Sequence, residues 1–104
     1  MIKTARMGET TNGVMLDITV KNSKNHVLAP TWNMVIGFMK GKISWMEYEK
    51  MYVELLNERL KTREQEFRAI IEAARTNDIY LVCFCKDERF CHRRLAKEFL
   101  DGII

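Results

Sequence analysis

The segment Ile79–Cys85, Ile-Tyr-Leu-Val-Cys-Phe-Cys, restricts the fold more than any other, because only Tyr80 interrupts its apolar run. A strand with one wet face alternates apolar and polar side chains, whereas one covered on both faces does not. Covering both faces requires helices on either side of a mainly parallel sheet. The segment therefore reads as the central strand of an α/β domain.

The rest of the chain supplies the helices. Ser44-Trp45-Met46-Glu47 is a capping box, in which Ser and Glu satisfy each other's orphan amides at a helix start. Behind it Trp45, Tyr48, Tyr52, Leu55 and Leu56 fall at helical spacing. Thr62-Arg63-Glu64-Gln65 reads as a second capping box, with Phe67, Ile70, Ile71 and Ala74 as the buried face beyond it. Thr31, after the single proline, Pro30, caps a shorter helix over Trp32–Met39 that Gly41 ends. Leu95, Phe99 and Ile103, with Ala96 and Leu100, make the stripe of a terminal helix. Upstream, Val14–Val20 and Ile2–Arg6 read as strands separated by a turn over Gly8–Gly13. The expected architecture is α/β: a small mainly parallel sheet flanked by helices in a Rossmann-like three-layer arrangement, with residues 1–104 as a single domain.

Composition narrows the function classes. A formal charge of +3 on 104 residues is an ordinary solvated surface and does not by itself imply a polyanion partner. No apolar run approaches the roughly 20 residues of a membrane-spanning helix. Met1–Met7, interrupted by Lys3 and Arg6, does not read as a secretory signal. The three cysteines all lie between Cys83 and Cys91, whereas a disulfide scaffold spreads an even set along the chain. Reduced thiols and a cytoplasmic location are expected.

Sites in open α/β sheets form where the carboxyl ends of strands meet helix N-termini. Here that place holds Cys85-Lys86-Asp87-Glu88-Arg89-Phe90-Cys91-His92-Arg93-Arg94, the densest stretch of reactive chemistry in the sequence. A helix start favours negative charge, on a thiolate or a bound phosphate. Nearby Lys and Arg lower a thiol's pKa, and arginine matches phosphate with a planar fork. Cys91 and His92 are the candidate catalytic pair. Cys85, Lys86, Arg93, Arg94 and, from the second strand, Asp17 are candidate ligand-binding residues. The competing structural reading is that Cys91, Leu95 and Phe99 share one buried helix face, and that Cys83 belongs to the core. Zinc would find its atoms in Cys83, Cys85, Cys91 and His92, but not the paired knuckles of a zinc motif, and no metal or cofactor is assigned. Cys85 with Cys91 is a candidate redox pair across the turn.

The same residues resemble a known family. Leu81–Asp87 followed by Cys91-His92-Arg93 is similar to the C-terminal signature of the domain-of-unknown-function 488 family, an apolar strand and short charged loop before Cys-His-Arg at the last helix. Ala29-Pro30-Thr31, the break at Gly41–Trp45 and the aromatic helix Tyr48–Leu55 resemble its middle section. The resemblance implies a compact α/β domain and no specified activity. In that family the second strand typically ends in Asp-x-Arg. Asp17 fits the acid, Thr19 stands where the arginine would be, and the following segment to Leu28 is short, so the chain resembles a reduced or phage-like version.

Three functions fit these readings. One is a site for a phosphate-bearing small molecule such as a nucleotide, in an enzyme or a degenerate relative of one. Another is nucleic-acid binding through Lys86, Arg89, Arg93, Arg94, Lys21, Lys40 and Lys42, with the steep salt dependence that phosphate contacts bring. The third is a protein-interaction factor that uses its seven methionines and Trp32 and Trp45. A homodimer is compatible with each of them and required by none.

Overall fold

A computed structural model describes residues 1–9, 12–21, 26–84 and 90–103. Three strands, β1 (Ile2–Arg6), β2 (Val14–Asp17) and β3 (Ile79–Cys83), form one parallel sheet in the order β1-β3-β2. Four helices flank it: α1 (Trp32–Met39), α2 (Trp45–Thr62), α3 (Glu64–Ala74) and α4 (His92–Ile103). The expectation of a small parallel sheet flanked by helices holds. No described helix is long and apolar enough to cross a membrane.

The apolar run at β3 is central because both neighbours pair with it. Ile2 and Val14 each stand opposite Ile79, and Ala5 and Asp17 each stand opposite Val82. Ile79, Leu81, Val82 and Cys83 are all buried, and complete burial of each large aliphatic side chain contributes about 1.5–3 kcal/mol. Helix α4 packs on β1 and β3 and also on α2, and α3 packs on β3. Tyr52 and Leu56 of α2, Phe67 of α3, and Leu95, Ala96 and Leu100 of α4 complete the core.

The helix starts follow their capping chemistry. Thr31 Oγ1 accepts from the Met34 amide (3.3 Å), and Ser44 and Glu47 make the reciprocal capping box. Gly41 follows α1 with φ +71°, a left-handed conformation that glycine adopts without strain.

The second expected box does not form. Helix α2 runs on through Thr62, whose hydroxyl donates back to the Glu58 carbonyl (3.4 Å). Arg63 makes the break, without a side-chain cap, and its guanidinium pairs with Glu66. On α3, Phe67 and Ala74 are buried while Ile70 and Ile71 are only half-buried. Ile103, expected on the buried stripe of α4, is exposed.

The strand expected over Val14–Val20 ends at Asp17. Asp17 Oδ1 accepts from both the amide (2.9 Å) and the hydroxyl (2.7 Å) of Thr19, a local bond that withdraws that amide from the sheet ladder. The chain stays buried from Ile18 to Val20 all the same. Strand β3 likewise ends at Cys83 rather than Cys85, where its neighbours run out.

Candidate ligand cleft with a thiol and imidazole floor

At the carboxyl edge of the sheet, the chain leaving β2, the end of β3 and the start of α4 converge. The gap between them is a cleft of about 430 Å³, within the size range of small-molecule sites. Its walls are largely aromatic: Trp32 and Phe38 of α1, Trp45 and Tyr48 of α2, and Phe84 and Phe90 beside them. Trp45 stacks on Tyr48, with ring centroids 4.9 Å apart, and Phe90 meets Trp45 edge-on. Helix α2 places Trp45 and Tyr48 on one face because they lie three residues apart. Polar groups are few, with Thr19 and Lys21 on the β2 side and Cys83, Cys91 and His92 below.

His92 opens α4 and is buried. Its Nε2 lies 2.8 Å from the Ile18 carbonyl, which can only accept, so Nε2 carries the proton and Nδ1 keeps a lone pair. Tyr52 packs edge-on against the ring at 5.7 Å. Burial lowers the His92 pKa to about 4; the Ile18 carbonyl opposes that shift and the Arg93 cation adds to it. The imidazole is therefore neutral at pH 7. Cys91, beside it, is buried in the core, and its sulfur meets that of Cys83 at the end of β3.

The remaining candidates are dispersed. Arg93 is buried behind the strand ends, where its Nη1 approaches the carbonyls of Ala5 (3.3 Å) and Cys83 (3.4 Å) and the Cys83 sulfur (3.6 Å). It reaches the floor from below and does not line the cleft. Arg94 turns outward to Glu49 (3.0 Å) and Glu98 (2.9 Å), tying α4 to α2. Asp17 is engaged with Thr19. Cys85 and Lys86, as well as Arg89, lie outside the described residues. The structure thus gathers Cys91 and His92 in one cleft but does not bring Arg94 and Asp17 to it. Cys91 is both buried, as the structural reading held, and part of the cleft lining.

Sequence reasoning passed over Cys83, which its apolar strand marks as core. The pointer to a second role is its place as the last residue of the central strand. The aromatic walls were also read as helix stripe or partner surface, since spacing does not reveal which aromatic residues surround a gap.

Residues 9–102 match the sequence model of the active DUF488-N3 subclade, DUF488-N3a. The chain belongs to the DUF488 family. The match spans β2 through α4 and so contains the whole cleft. No curated protein and no solved structure matches this DUF488 domain significantly.

Proposed function

We propose that this DUF488 protein binds a flat, anion-bearing small molecule of the nucleotide class in the cleft, with Cys91 and His92 beneath it as the groups that act on it. The observation that carries the reading is the aromatic cleft at the carboxyl edge of a parallel sheet, where α/β proteins hold such ligands. A planar base matches walls of Trp, Tyr and Phe by stacking. Lys21 and the first turn of α4 favour the anionic part. Cys85 and Lys86 follow β3 in the sequence and are kept as candidate ligand-binding residues on sequence grounds alone, and Arg93 supports the floor from below. The description of the matched subclade as active is in keeping with chemistry at this floor. The nucleic-acid reading is weaker on geometry, because Arg93 is buried and Arg94 is engaged by two carboxylates.

Trp32 and Trp45 make the reading testable by intrinsic fluorescence. Adenosine monophosphate and guanosine monophosphate are titrated alongside adenosine and inorganic phosphate. Saturable quenching by a nucleotide, weaker with nucleoside or phosphate alone, is expected, and Trp32→Ala should reduce affinity. If none of the four quenches fluorescence or raises the melting temperature, the proposal fails.

A further inference from the structure

Ligand atoms of Cys83, Cys91 and His92 all lie within 4.8 Å of one another, and all three residues are buried. This is the group of potential metal ligands found among the described residues. Two sulfurs and one imidazole nitrogen are a borderline-soft set that suits zinc, and the same set occurs in catalytic zinc sites that keep one position open. All three residues also line the cleft, so an ion held by them would present its remaining position to whatever the cleft contains. We propose that Cys83, Cys91 and His92 form a zinc site of two thiolates and one imidazole whose fourth position faces the cleft.

Three further observations support the assignment. The first is the His92 hydrogen bond. Metal-bound histidines nearly always donate their other ring N–H to a carbonyl or carboxylate, which fixes the tautomer and the ring. Ile18 provides that carbonyl, at 2.8 Å from Nε2, and leaves Nδ1 as the donor atom.

The second is charge. Zinc with two thiolates and a neutral imidazole carries no net charge, and the buried Arg93 guanidinium sits 3.6 Å from the Cys83 sulfur as an outer hydrogen-bond donor to that ligand. Arg93 is on this reading a positioning residue.

The third is backbone spacing. The Cα atoms of Cys83 and Cys91 are 8.0 Å apart, beyond the roughly 4.4–6.8 Å over which disulfides ordinarily close. The two sulfurs stand 2.50 Å apart, closer than the roughly 3.3–3.8 Å at which tetrahedral zinc with bonds of roughly 2.0–2.3 Å holds its donors, so taking up the ion requires the two side chains to part. The sequence reading discounted zinc for want of paired knuckles. Those mark closed structural sites, whereas this set comes from a strand end and a helix start.

The test uses the full chain, reduced and treated with a chelator, without nucleotide, so that its result is independent of the ligand reading above. Cobalt(II) is titrated in and thiolate-to-cobalt charge-transfer absorption is recorded, after which zinc is added in competition. One ion per chain is expected, with visible bands of tetrahedral intensity, displaced by one equivalent of zinc. Cys83→Ser, Cys91→Ser and His92→Gln should each weaken binding by more than the roughly 10–100-fold that loss of an outer partner costs. Arg93→Gln should fall within that range. Circular dichroism confirms that each variant compared is folded.

For the wild-type chain, zinc should also raise the melting temperature. Folded, reduced protein that gives no charge-transfer absorption overturns the site. So do bands that survive in both Cys83→Ser and Cys91→Ser, or a Cys83–Cys91 disulfide found by mass spectrometry in protein prepared with reductant and zinc.

Discussion

Gly13 stands where β2 begins, and its backbone passes so close to the chain entering β3 that a Cβ there would lie 2.3 Å from the Asp78 carbonyl oxygen. That carbonyl accepts from the Val14 amide (2.9 Å), the first bond joining β2 to the central strand. A methyl group cannot be accommodated by a flexible side chain moving aside, because the obstacle is backbone. Gly13→Ala should therefore destabilise the fold by about 1–3 kcal/mol, the usual cost of forced overpacking, and urea denaturation would measure it. Gly102, with nothing near its would-be Cβ, is the matched control and should show no such loss. The sequence shows Gly13 as one more turn residue. Its requirement arises from a partner sixty-odd positions away, information that no local pattern contains. Cys83, read from its apolar strand as core, is buried as expected.

Among the elements, helices with their own start signals were the most legible. The Thr31 and Ser44 caps are chemistry between residues three apart, so they are complete in the sequence. The Thr62 box looked identical on paper and lost to continuation of α2. Least legible was the segment from His26 to Pro30, for which the sequence offered only the proline and the resemblance of Ala29-Pro30-Thr31 to the family's middle section. Val27 to Pro30 are in fact buried, and three successive carbonyls are satisfied by side chains of α2. Arg59 donates to Val27 (2.8 Å) and Ala29, and the Tyr52 hydroxyl donates to Leu28.

His26 closes this segment, with its Nδ1 accepting from the Leu28 amide (3.0 Å). Desolvation, followed by the Arg63 cation, lowers its pKa below the ordinary 6.5; Arg59 acts the same way, while Glu66 and Asp17 oppose them. The folded protein therefore binds fewer protons here than the unfolded chain below pH 6.5. The stabilisation is complete above that value and is lost as pH falls through the folded pKa. Stability measured by denaturant between pH 7.5 and 5, roughly the span of histidine titration, should fall more steeply for wild type than for His26→Gln. Parallel curves would show that the segment does not sense the proton.

At the scale of the molecule, the cleft is where the fold's separate parts meet. Its lining comes from the segment after β2, the end of β3, the length of α1, and the starts of α2 and α4, most of them distant in sequence. None of these contributes a closed pocket alone, so a ligand held there is lost when any of them departs, and binding becomes coupled to global unfolding. A ligand at about 100 times its dissociation constant adds about 2.7 kcal/mol to the native state. For a domain of this size each kcal/mol moves the melting temperature by about 4–8 °C. A cleft-bound nucleotide should therefore raise it by at least about 10 °C. Trp32, with 43% of its surface exposed, contributes little to the core. Trp32→Ala should accordingly keep the melting temperature of the free protein near that of wild type and shrink the ligand-induced rise. A ligand that quenches tryptophan yet leaves the melting temperature unmoved at saturation would be bound to a surface that survives without these elements together, and the cleft would not be its site.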